Sequence, residues 1–163
     1  LDWSELLNRH GPALVLYARQ WTGTHADAEE AVQNGFVRAW KSIPTCDNPL
    51  PRLYLSVRSS AIDLVRSRER RKAREKAVAT DSDSVSWFDS RLETAERNDA
   101  IEAALKALPL EQREVVVMKV WGDLTFPDIG QALGIPANTA ASRYRYALAK
   151  LAESIPEELR NAF

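Results

Sequence analysis

Cys46 is the only cysteine among the 163 residues, so no internal disulfide can form, and its thiol reads as an incidental loop or partly buried group. The only two histidines, His10 and His25, lie in different segments with no cysteines grouped around them, which removes zinc spacing. No apolar run is long enough to span a bilayer and no signal-peptide pattern is present, so the expectation is a soluble, cytoplasmic chain. Leu1 stands where a methionine would, as in a trimmed or renumbered start. A Ser/His/Asp grouping, a Gly-rich phosphate loop and a carboxylate pair in a pocket-like setting are all missing, which speaks against an enzyme, a cofactor or a metal. Internal repeats and low-complexity segments are also lacking.

The formal net charge of −1 excludes a uniformly basic coat for nucleic acid, but it hides two blocks of opposite sign. Arg66, Arg68, Arg70, Arg71, Lys72, Arg74 and Lys76 face only Glu69 and Glu75. Farther on, Asp81, Asp83, Asp89, Glu93, Glu96 and Asp99 face only Arg91 and Arg97. With 45% apolar residues the chain can build one core or two small ones.

Helical spacing dominates what is present. Trp3, Leu6, Leu7, His10, Leu14, Tyr17, Ala18 and Trp21 mark a first amphipathic helix ending near Thr22-Gly23. Asp27 to Lys41 reads as a second, with Ala28, Ala31, Val32, Phe36, Ala39 and Trp40 inward. Within it, Asn34-Gly35 is unusual, because glycine weakens a helix interior by ~1 kcal/mol; close packing or the approach of a partner would explain it. Ser42 to Pro51, with three prolines, is a loop. Pro51 opens a third helix through Leu53, Tyr54, Val57, Ala61, Ile62 and Val65 into the basic block, and three such helices can close a small bundle.

Thr80 to Ser90 loses helical periodicity, as a linker does, although Trp87-Phe88 suggests docking onto a domain of this chain or onto a partner. Ile101, Ala104, Leu105 and Leu108 then form a stripe stopped by Pro109. Glu111 to Trp121 follows, where Val115, Val116, Val117 and Val120 have strand propensity but the Glu-rich start and Gly122 favour a buried helix.

Leu124 to Leu151 spells two short helices across a glycine turn. Thr125 can cap the first, Pro127 and Asp128 suit its first turn, and Gly134 supplies the left-handed residue that ends it. Asn138 or Thr139 can cap the second, whose apolar side is Ala140, Tyr144, Ala147, Leu148 and Leu151. Opposite lie Thr139, Ser142, Arg143, Tyr146 and Lys150, with Arg145 flanking, the face of a helix that enters a major groove. An ordinary amphipathic hairpin with a solvated basic face would show the same pattern.

The segments HADAEEAVQNGFVRAW (His25 to Trp40), PRLYLSVRSSAIDLVRSRERR (Pro51 to Arg71) and ALPLEQREVVVMKVWGDLTFPDIGQALGIPANTAASRYRYALAKL (Ala107 to Leu151) together resemble the extracytoplasmic-function sigma factors of the sigma-70 family. The resemblance spans almost the whole chain in order. It implies an all-α fold of two small helical domains: region 2 over residues 1–78, a flexible linker over 79–96, and region 4 with its helix-turn-helix over 97–163. The partners it implies are the RNA polymerase core, through its β′ clamp helices and β flap, and promoter DNA, with an anti-sigma factor a further possibility.

Residue by residue, the resemblance assigns Asp27, Glu30, Gln33 and Asn34 to the polymerase contact, with Phe36, Val37 and Trp40 as apolar anchors. It assigns the loop Pro44 to Arg52 to a base pocket, and Arg52, Arg58, Ser59, Arg66 and Arg70 to the −10 element. Tyr54 could stack on a base or fill the core, and Asp63 buttresses an arginine or a helix. Thr139, Ser142, Arg143 and Arg145, then Tyr146 and Lys150, fall to the −35 element, while Tyr144 is packed. Arg113 matches a position near the DNA backbone, or forms a surface ion pair. The chain departs from the family pattern at Tyr54, Ser59 and near Ala141, where Trp, Asn and Lys are common; this bears on promoter sequence rather than on role.

The function expected is thus promoter-specific initiation. The alternative is a stand-alone helix-turn-helix regulator that binds a duplex operator, usually as a dimer. The acidic stretch Asp81 to Asp99 with Trp87-Phe88 could also hold the basic helix against the second domain.

Overall fold

A computed structural model describes residues 2–42, 47–74, 92–154 and 157, with the side chains of 92–98 left out. Cys46 and the first part of the loop expected to wall a base pocket, Pro44 to Cys46, lie outside the described residues, as do Lys76 and the linker with Trp87-Phe88. The regular elements described are helices: α1 (Trp3–Ala18), α2 (His25–Ser42), α3 (Leu50–Arg74), α4 (Leu92–Lys106), α5 (Leu110–Val120), α6 (Phe126–Leu133) and α7 (Ala137–Ser154). They form two compact units, Leu1–Val85 and Ser86–Phe163, so the chain is all-α with two small helical domains.

In the first unit Asp2 caps α1, its Oδ1 accepting from the amides of Ser4 at 2.9 Å and Glu5 at 3.2 Å. α1 ends four residues before the expected Thr22-Gly23. Beyond Ala18 its last carbonyls are taken in a tight turn, where the Ala18 oxygen accepts from the Thr22 amide at 3.1 Å and from its hydroxyl at 3.2 Å. Leu14, Tyr17, Leu53, Tyr54 and Val57 are fully buried. Tyr17 meets Trp21 and Tyr54 edge-on, with ring centroids 4.8 and 5.0 Å away. Tyr54 is therefore a core residue, and burial raises its hydroxyl pKa well above the ordinary tyrosine value.

α2 packs on α3 through a seam of small residues, Ala28, Ala31, Val32, Gly35 and Ala39. That seam corrects one expectation: Trp40, read as inward, is 65% exposed. It lies 100° around the helix from Ala39, and a seam built of alanine and glycine brings the backbones too close to admit an indole at its edge.

In the second unit four consecutive residues of α5, Val115 to Met118, are fully buried. A helix enclosed on all sides explains why strand-favouring valines are tolerated there. Thr125 caps α6, its Oγ1 accepting from the Asp128 amide at 3.2 Å, and Gly134 ends α6 at φ +68°. Neither Asn138 nor Thr139 caps α7. The helix starts at Ala137, and the Pro136 carbonyl accepts from the Ala140 amide at 3.1 Å, which puts both residues inside the first turn. Among the described residues no helix is long and apolar enough to cross a membrane, and no group of His, Cys, Asp or Glu could hold a metal.

Candidate nucleic-acid interface

α7 rests on α5 and α6 through Ala140, Ala147 and Leu151, and Tyr144 stacks at a tilt on Phe126, 5.6 Å between centroids. Tyr144 is packed as expected, and the opposite side of α7 is left to solvent. There Arg145, Tyr146 and Lys150 are exposed, Tyr146 at 63%, and Thr139 and Ser142 are half-buried. Arg145 Nη2 donates to Ser142 Oγ at 3.4 Å, which aims the guanidinium along the face. Arg143 is more constrained: it is half-buried, with its Nη2 3.9 Å from Glu111 Oε2 on α5. Arg113 makes no ion pair among the described residues, and its Nε is buried without an acceptor.

On α3, Arg52, Ser59, Arg66 and Arg70 recur at spacings of 7, 7 and 4 residues and share one face of the helix, about 27 Å long at 1.5 Å per residue. Arg52, Arg66 and Arg70 are exposed and Ser59 is half-buried. Leu55 lies on the same face, 44% exposed, a residue the helical pattern alone assigned to no role. Arg58 stands off this face, its guanidinium 5.7 Å from the centre of the Trp21 ring, which answers to a cation–π contact rather than a free cation. Asp63 accepts from Arg38 Nη2 at 3.0 Å and so buttresses an arginine. A groove of about 630 Å³ runs beside it, lined by Asp63, Arg66, Glu69, Arg70 and Ala73.

On α2 the acidic side chains are less free than their sequence positions suggest. Arg68 Nη2 reaches Asp27 Oδ1 at 2.8 Å and Glu30 Oε2 at 3.3 Å, and Asp27 is only 15% exposed rather than open to solvent. The reason lies across the seam, where α3 runs alongside α2 and carries its basic block back over the start of α2. Glu29 lies 3.0 Å from His25 Nε2. Gln33, Asn34, Val37 and Trp40 are exposed, while Phe36 is half-buried with its ring edge-on to Trp3, 6.2 Å between centroids.

Comparison with known proteins places both units. The family model of Sigma-70 region 2 matches residues 6–71, and that of Sigma-70, region 4 matches residues 98–151. The ECF RNA polymerase sigma factor SigL of Mycobacterium tuberculosis is 30% identical over 161 residues, covering 93% of this chain and 88% of SigL. SigE of Mycolicibacterium smegmatis is 30% identical over 87% of this chain, which spans only 57% of that relative's length. Among solved structures, the sigma factor RpoE bound to the anti-sigma factor NepR from Bartonella quintana shares the fold, with a TM-score of 0.67 at 24% identity over 93% of this chain and 95% of that one. CnrH in complex with the cytosolic domain of CnrY gives 0.62 at 26% identity, over 93% and 85%. A region 2 match on the first unit sets aside the stand-alone regulator, which has no need of that domain. With both regions present in order, the chain belongs to the extracytoplasmic-function sigma factors of the sigma-70 family, initiation factors rather than enzymes.

Proposed function

We propose that the chain binds the RNA polymerase core in the cytoplasm through α2, opens and reads the −10 element with α3, and reads the −35 element as duplex with α7. The domains are drawn at 1–78 and 97–163 with a linker between. The polymerase contact is assigned to Gln33, Asn34, Val37 and Trp40, with Asp27, Glu30 and Phe36 behind them, against the β′ clamp helices; the second unit meets the β flap. On α3 the strand-holding residues are Arg52, Ser59, Arg66 and Arg70, with Arg58 at the margin. On α7 they are Thr139, Ser142, Arg145, Tyr146 and Lys150, with Arg143 supporting from its place beside Glu111.

The observation that carries this reading is the single-faced row on α3. A helix that lines up exposed arginines over about 27 Å, with a leucine between them, suits a separated strand: its phosphates need cations, and its unstacked bases need an apolar surface. Adding the purified chain to polymerase core should produce initiation at a promoter selected from a random library. Failure to bind core at any ionic strength would refute the proposal.

A further inference from the structure

Asp27 and Glu30 carry the charge that a basic partner of α2 would seek, yet one cation of the same chain already holds both. Arg68 Nη2 is the shared donor, and among the described residues the Nε of that guanidinium is buried without an acceptor. The two halves of the clasp are unequal. The Asp27 contact is the shorter at 2.8 Å and its carboxylate is 15% exposed, whereas the Glu30 contact is 3.3 Å and its carboxylate is 49% exposed. An exposed, longer ion pair exchanges partners at little cost, and a mostly buried one does not.

We propose that Arg68 is an internal competitor for the partner of α2: it offsets part of the negative charge of Glu30 in the free protein, and the basic surface that docks there must displace it from Glu30, so Arg68 sets the strength and salt dependence of that docking. The inference rests on the assignment of α2 to the polymerase contact. While Arg68 is paired, an approaching cation meets a carboxylate with a positive charge 3.3 Å away, which weakens its pull. When Glu30 changes partner, Asp27 keeps Arg68 in place, so the exchange leaves no buried charge unpaired. Arg68 is thus a positioning residue that acts through Glu30, and α3, the proposed −10 helix, limits how tightly α2 binds.

The test is equilibrium binding of the full chain to RNA polymerase core over a series of salt concentrations. R68Q should bind more tightly than wild type, roughly three- to tenfold at low salt, with the gain fading as salt screens it. R68K should stay near wild type because it keeps the charge. E30Q should weaken binding, and adding R68Q to E30Q should gain nothing. Because R68Q alone leaves Asp27 unpaired, D27N is also compared with D27N/R68Q, which removes both charges of the buried half; the second should bind more tightly. Equal or weaker binding in both comparisons, with wild-type binding intact, overturns the inference alone. A wild-type chain that does not bind core overturns the parent reading and this inference with it.

Discussion

Gly35 of α2 lies so close to Val57 of α3 that a Cβ placed on it would stand 2.5 Å from Val57 Cγ2, 2.8 Å from its Cα and 2.9 Å from its nitrogen. The glycine in the middle of this helix therefore serves close packing. Alanine there would gain about 1 kcal/mol of helix propensity, but overpacking against a neighbouring backbone costs typically ~1–3 kcal/mol. Two of the three contacts are main-chain atoms that cannot rotate away, so the second effect wins. G35A should lower the stability of the first unit by a net of up to ~2 kcal/mol, read as faster hydrogen exchange of α2 and α3 amides. Unchanged or slower exchange would show that the helices separate without cost.

Gly130 plays the corresponding part in the second unit. Its carbonyl accepts from the Ile135 amide at 3.0 Å, and a Cβ on it would lie 2.6 Å from the Ile135 oxygen and 3.3 Å from the Ala137 nitrogen. The turn folds back over α6 at this point and sets where α7 begins. G130A should therefore weaken binding to a −35 duplex and destabilise the unit by ~1–3 kcal/mol, measured by anisotropy titration and chemical denaturation. A variant that keeps full stability and full affinity would contradict the close approach.

Both glycines show how far the sequence could be read. The stripe Ala28, Ala31, Val32, Ala39 and the signals Thr125 and Gly134 follow local rules of periodicity and capping, and the helices they predict are present. What local rules could not supply was distance between elements. Glu30 and Arg68 are 38 residues apart, so their pairing arises only once α3 packs along α2. Trp40 departs from the periodic pattern for a related reason: periodicity gives an angle around the helix axis, while the closeness of two helices decides how large a side chain fits at the seam edge. Leu55 lies off the core stripe of α3, and a lone apolar residue there carries no sign of what it meets. The start of α7 carries no capping signal, because Pro136, with no polar side chain, occupies the position that Asn138 or Thr139 would fill.

The exposed face of α7 separates DNA contact from folding. Lys150→Ala should weaken duplex binding evenly across sequences and reduce the slope of log affinity against log salt by about 0.9, the value for one phosphate contact. Tyr146→Ala should weaken binding to the preferred −35 sequence more than to others, with the melting temperature unchanged because the ring is 63% exposed. Tyr144→Ala should do the reverse and destabilise the unit through the lost contact with Phe126. If Tyr146→Ala unfolds the unit, or leaves sequence preference intact, the assignment of that residue fails.

Tyr54 offers a test of the first unit that involves no partner. Among the described residues its hydroxyl is buried without a hydrogen-bond partner, and burial raises its pKa well above the ordinary 10.0 because the anion would be desolvated. The sign of the pH effect follows. The unfolded chain loses this proton near its ordinary value while the folded chain keeps it. Stability from this group is therefore whole below about pH 10 and declines as pH rises further, until the folded residue itself ionises. Tyr54→Phe keeps the ring that meets Tyr17 edge-on at 5.0 Å and removes only the unsatisfied oxygen. It should raise stability by about 1 kcal/mol at neutral pH and flatten the alkaline decline, both read from denaturation curves at pH 7 and above 10. A Phe variant less stable than wild type would mean that the hydroxyl is satisfied in solution.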